Sequence, residues 1–112
     1  MLPLQWFKIA ESKKALAELC NPLHKVFVSE RWILIYKNGE EFHASSARCP
    51  HAGFDLSDEQ PDEKGRIVCP LHGYTFCLKT GRNVSGEGYK LYSYPFEERN
   101  DGIYIGIKEL LF

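Results

Sequence analysis

Two short loops constrain this chain more than anything else in it. Cys49-Pro50-His51-Ala52-Gly53 and Cys69-Pro70-Leu71-His72-Gly73 both run Cys-Pro, then His, then Gly, and each follows a strand-like run. The second carries one extra residue between cysteine and histidine, so the spacing is Cys-x-His, seventeen residues, then Cys-x-x-His. Proline restricts φ beside each cysteine. Glycine tolerates close turns that let backbone N–H groups approach a bound centre. A fold that uses both loops has to bring them together at the tips of neighbouring hairpins, where Cys49, His51, Cys69 and His72 can converge on one metal centre.

The flanking sequence is β-rich with frequent turns. "WFKIAES", "KVFVSE", "RWILIYKNGEEFHASSA", "RIVCP", "YTFCLKTGRNV" and "LYSYPFEERNDGIYIGI" read as strands or strand pairs. Asn38-Gly39 lies between two such runs, and Asn-Gly is a strong hairpin signal because both central positions need positive φ. Thr80-Gly81 and Asp101-Gly102 mark further turns. "SKKALAELCNP" predicts a short helix with Ser12 as N-cap and Asn21-Pro22 at its end. Short strands at this spacing predict an all-β antiparallel sandwich or barrel-like fold.

Bulk properties narrow the function. A chain of 112 residues is expected to be a single domain over 1–112, with enough core to stand without disulfides. Fourteen basic side chains balance fifteen acidic ones, and no basic run is visible, which argues against a nucleic-acid partner. "MLPLQWFKIAESKK" has no apolar stretch of signal-peptide length. The longest strongly apolar run, Trp32 to Tyr36, is far too short to span a membrane. No membrane partner and a cytoplasmic location are therefore expected. In a reducing compartment, four cysteines read as ligands or buried thiols.

Two centres suit two cysteines and two histidines. Tetrahedral zinc accepts that donor set, although Cys-x-His is tight for one small ion. A [2Fe-2S] cluster makes a different demand, since its two irons are ligated separately. If two cysteines hold one iron and two histidines the other, each loop contributes one ligand to each iron.

The pattern extends beyond the ligands. "CPHAGFDL", "IVCPLHGYTF", "KTGR" and "YPFEERNDGIYIGI" together resemble the Rieske-type [2Fe-2S] ferredoxins over most of the chain from about Trp32 onward. The resemblance implies Cys49 and Cys69 on the buried iron and His51 and His72 on the outer one. It also implies a three-sheet antiparallel β fold, with a cluster-binding subdomain at about 47–76 on a larger base. High-potential relatives carry a disulfide at the positions of Phe54 and Leu71, which this chain cannot form. They place serine and tyrosine hydroxyls where this chain has Tyr74 and Phe76. Their third loop contains a Gly-Pro-x-Pro run, where this chain has "VSGEGYK".

By resemblance, the expected function is electron transfer from a reductase to an oxygenase or related acceptor, with no catalytic residue and no small-molecule substrate. The competing readings are a small non-carrier subunit or regulatory module of a larger reductase, and a zinc-stabilised interaction domain. Without the extra hydroxyls and the disulfide, a low potential is expected, at about −150 mV in the Rieske range. Cys20 and Cys77 read as buried structural thiols, and His24 and His43 as surface or turn residues. The acidic linker, Asp55, Asp58, Glu59, Asp62 and Glu63, reads either as a solvated face or as a docking rim for a basic redox partner.

Overall fold

The computed structural model describes residues 4–21, 23–50, 53–71, 73–86 and 88–108. Its elements run in chain order: β1 (Leu4–Ala10), α1 (Lys13–Leu19), β2 (Leu23–Val28), β3 (Arg31–Asn38), β4 (Glu41–Ser46), β5 (Arg66–Cys69), β6 (Tyr74–Cys77), β7 (Ser93–Tyr94), β8 (Phe96–Arg99) and β9 (Gly102–Lys108). They form three sheets, ordered β1-β9-β8, β2-β3-β4-β7 and β5-β6, in which all strand pairs are antiparallel. The all-β, three-sheet architecture expected from the resemblance is therefore present. Among the described residues, no helix is long and apolar enough to cross a membrane.

β3 is the strand on which the rest is built. Its middle, Ile33 to Tyr36, is buried on both faces. Ile33 and Ile35 face a core with Leu16, Ala44, Ile103, Ile105 and Ile107, which joins the two larger sheets to the helix. Leu34 and Tyr36 face a second core containing Ala47, Leu56, Ile67, Phe76 and both loop cysteines. Side chains alternate across a strand, so the apolar run "ILIY" serves both cores at once. Each fully buried aliphatic side chain contributes roughly 1.5–3 kcal/mol of transfer free energy. A polar group at any of these four positions would damage one core selectively.

The helix forms as expected at its start. Ser12 is extended, and its Oγ accepts from the Ala15 N–H at 3.1 Å. The helix has 7 residues, too few to persist alone, and Leu16, at 0% exposure, anchors it in the core. It closes at Cys20, whose N–H donates to the Leu16 carbonyl. Asn21 follows it, while Pro22, expected to help end it, lies outside the described residues.

Two hairpins depart from the sequence-based expectation. Asn38 still pairs with Glu41, so the β3–β4 turn consists of Gly39 and Glu40, one residue later than Asn38-Gly39. Gly39 has φ +63°, whereas Asn38 stays in the strand. The turn with two positive φ values is the one between β2 and β3: Ser29 (+50°) and Glu30 (+61°), flanked by the Val28–Arg31 pair. That geometry normally selects Asn and Gly, so residue type alone did not reveal it.

Candidate functional site

Loop 49–53 leaves the four-stranded sheet just after β4. Cys49 N–H donates to the Phe54 carbonyl at 2.8 Å, Leu56 N–H donates to the Ala47 carbonyl at 2.8 Å, and Arg48 and Asp55 form an isolated antiparallel bridge. Inside the loop, Gly53 N–H donates to the Cys49 carbonyl at 2.8 Å. Loop 69–73 caps the β5–β6 hairpin, whose last pair is Cys69 with Tyr74. Here Gly73 N–H donates to the Cys69 carbonyl at 2.9 Å. The closing glycines adopt φ +71° and +74°, and among the described residues a Cβ on either would meet nothing within 4 Å. The backbone angle is reason enough for glycine at both positions.

The two loops thus close with the same cysteine-to-glycine hydrogen bond. Cysteine and glycine stand four positions apart in each, so the extra residue before the second histidine is offset by one fewer after it. Counting from cysteine to histidine makes the loops look unequal, whereas counting to glycine shows a common frame. That common frame is legible in the sequence alone. His51 and His72 themselves lie outside the described residues, as does Ala52.

The cysteines are brought together from positions twenty apart. Cys49 and Cys69 are each 1% exposed and share one core with Leu56, Ile67 and Phe76. None of the chain's four cysteines is in a disulfide. Among the described residues, no third His, Cys, Asp or Glu joins them as a possible metal ligand. Burial by itself does not call for a metal, since a neutral thiol packs well in an apolar core; what the fold supplies is two sulfur donors from two loops in one core. The donor set and its dry floor fit a thiolate-ligated iron–sulfur centre.

The remaining candidates separate from this site. Cys20 belongs to the other core, and burial pushes its thiol up to about 11. Cys77 is half-buried: burial raises its thiol, but hydrogen bonds from Thr80 and from the Lys79 and Thr80 backbone prevail, and the net shift is downward. Its carbonyl accepts from Gly81 N–H at 2.7 Å, a third cysteine-to-glycine turn of the same length, without proline or histidine. His24 and His43 lie in β2 and β4, not in turns. His43 stacks on Tyr36 at 6.4 Å, and its Nε2 is buried without a hydrogen bond, 3.4 Å from a Glu41 carboxylate oxygen.

The third loop is held without proline. Val84 N–H donates to the Thr75 carbonyl and Thr75 N–H donates to Ser85 Oγ, both at 2.9 Å, while Gly86 N–H donates to Asn83 Oδ1 at 2.7 Å. These bonds latch residues 83–86 onto β6, and Tyr89 packs on Tyr74 with ring centroids 5.8 Å apart. Gly81 admits no side chain, since a Cβ there would stand 2.1 Å from the Leu91 carbonyl oxygen.

Two linker acids have internal partners. Asp55 binds Lys25 Nζ at 2.8 Å and accepts from the Ser57 hydroxyl and N–H, and these contacts hold its carboxyl well below the usual range. Asp62 takes Arg66 Nε at 2.7 Å and the N–H groups of Lys64 and Arg66, which also lowers its carboxyl.

Comparison with known proteins points the same way. The family model for the Rieske [2Fe-2S] domain matches residues 5–95. The 3-phenylpropionate/cinnamic acid dioxygenase ferredoxin subunit of Escherichia coli (strain K12) is 32% identical over 78 residues, covering 69% of this chain and 74% of that protein. The ferredoxin of carbazole 1,9a-dioxygenase from Nocardioides aromaticivorans IC177 superposes with a TM-score of 0.74 at 21% identity, covering 90% of this chain and 96% of the other. A Mycobacterium tuberculosis protein described as an NADH-dependent nitrite reductase small subunit superposes at 0.75 with 15% identity, covering 96% and 99%. At those identities the two structures speak to fold alone.

Proposed function

We propose, from the premise that this chain belongs to the Rieske [2Fe-2S] domain family, that Cys49 and Cys69 hold the inner iron of its cluster and His51 and His72 the outer one. The protein is an electron carrier and not a catalyst. A bound [2Fe-2S] cluster takes up and returns one electron, and two neutral imidazoles in place of two thiolates raise its potential above that of an all-cysteine cluster. The observation that carries the ligand assignment is the pair of twin turns, which bring two 1%-exposed cysteines into one core.

The surrounding residues have definable tasks. Leu56, Ile67 and Phe76 keep water from the cysteine side, each at 0% exposure. Leu71, 51% exposed, presents the tip of the second loop to solvent, where a partner can approach. The acceptor is an oxygenase-type protein and the donor a reductase, as the ferredoxin subunit named above belongs to a dioxygenase. Residues 1–112 form one domain in the cytoplasm, with its cluster-binding part at about 47–76, the span that contains both loops and all but the last residue of the β5–β6 sheet.

Metal and sulfide analysis tests the reading. Two irons and two acid-labile sulfides per chain, with a Rieske-type EPR signal on reduction, are expected. One zinc per chain without sulfide would overturn it. Protein-film voltammetry should place the midpoint near the low end of the Rieske range, at about −150 mV. Phe76 supplies no hydroxyl to the buried sulfurs of its own core, so Phe76→Tyr should raise the midpoint. A wild-type midpoint well above zero would refute the hydrogen-bond argument.

A further inference from the structure

We infer that the aromatic end of the four-stranded sheet, Phe27 and Trp32 framed by Arg31 and Arg48, is a docking platform for an acidic redox protein; this rests on the electron-carrier reading above. Phe27 and Trp32 are 53% and 42% exposed, and their rings pack with centroids 4.8 Å apart. They line a groove of about 430 Å³ together with Glu30, Arg31, Arg48 and Tyr94.

The platform is rigid and adjoins the cluster loops. Lys25 Nζ lies 4.5 Å from the centre of the Trp32 ring and is itself held by Asp55 at 2.8 Å, so the indole has little freedom to lose on binding. The Trp32 carbonyl accepts from Ala47 N–H at 3.3 Å. Arg48 precedes Cys49 directly, and its Nη1 donates to the Gly53 carbonyl at 3.0 Å. A protein seated on the aromatic pair therefore touches a residue adjacent to a cluster ligand.

Charge selects the partner. Two guanidinium groups line the groove against one carboxylate, Glu30. The Lys25 ammonium nearby is already matched by Asp55. The excess is local, since the whole chain carries a net charge of −1. Exposed aromatic and arginine side chains are the residue types that anchor protein interfaces, and the cationic rim favours carboxylates on the partner. The acidic linker contributes less to docking than its composition implies, because Asp55 and Asp62 are tied to Lys25 and Arg66.

Stopped-flow oxidation of the reduced holo-protein by two protein acceptors, acidic plastocyanin and basic cytochrome c, tests the platform. Plastocyanin reduction is expected to slow as ionic strength rises. Arg31→Glu should lower its low-salt rate constant about tenfold and remove that salt dependence. Trp32→Ala should lower the rate about threefold at every salt concentration. Both variants should keep the wild-type EPR spectrum and the wild-type rate of oxidation by dioxygen, a small neutral oxidant. A plastocyanin rate that rises with salt, or that neither substitution changes, overturns the platform and leaves the carrier reading standing. A wild-type protein that shows no [2Fe-2S] signal, or reduces neither acceptor, overturns both.

Discussion

Loops 49–53 and 69–73 share a closing cysteine-to-glycine hydrogen bond and differ in how the fold holds them. The second caps a hairpin whose four-residue strands pair from Arg66–Cys77 through to Cys69–Tyr74. The first is held by one isolated bridge, Arg48 with Asp55, closed by the backbone bonds of Cys49 N–H to Phe54 and Leu56 N–H to Ala47, and braced by side chains: Arg48 on the Gly53 carbonyl, and Asp55 on Lys25 and Ser57. A ladder resists opening cooperatively, whereas side-chain ties on the surface open one at a time. One loop is thus held by a full ladder, and the other by a single bridge braced with charged side chains. Loop 77–81 adds a third case. It has the same cysteine-to-glycine hydrogen bond without proline or histidine, so the turn is a reusable frame and the added residues give it ligand chemistry.

The largest effect should be blind to this difference. Cys49→Ser and Cys69→Ser should each abolish cluster assembly, read as loss of bound iron and sulfide, while Cys20→Ala and Cys77→Ala retain the spectrum. Loss of the cluster in Cys77→Ala would mean that the third frame takes part after all.

The next effect should expose the asymmetry. Arg48→Ala removes the guanidinium tie from the first loop only, and a lost charge-assisted hydrogen bond at an exposed site should destabilise it by about 1 kcal/mol. Holo-protein should then lose iron to a chelator several-fold faster than after Thr75→Ala, which removes a hydroxyl contact at the second loop. Equal rates would show that the ladder offers no protection.

The smallest effect is one of acidity. Asp55 has a folded pKa below its unfolded value of about 3.9. Its stabilising contribution is therefore complete above that unfolded value and disappears as pH falls through the folded one. Thermal melts should show wild-type stability declining below about pH 4, with Asp55→Asn less stable at pH 7 and flatter on the acid side. Since Asp55 is partly exposed, the difference at pH 7 should be modest.

Local chemistry made much of this molecule legible from sequence. The all-β character, the Ser12 cap and the paired Cys-Pro…His…Gly loops depend on residues within a few positions of one another; the first two carry through to the described residues, whereas the ligand reading of the loops remains a proposal, with His51 and His72 outside those residues. Tertiary structure alone decided the rest. "ILIY" reads as a buried strand, but that its two faces serve two different cores depends on which sheets pack against it. Ser29-Glu30 takes up positive φ because the flanking β2–β3 register imposes a two-residue turn, against the preference of both residues. Asp55 and Lys25 stand thirty positions apart, so their ion pair, and with it the change of Asp55 from a solvated acid to a strut, exists only once β2 lies beside the first loop. Gly81 reads as an ordinary turn glycine until the chain returns and lays the Leu91 carbonyl against it. Composition and spacing act over a few residues, whereas these contacts join segments that only the folded sheet brings within reach.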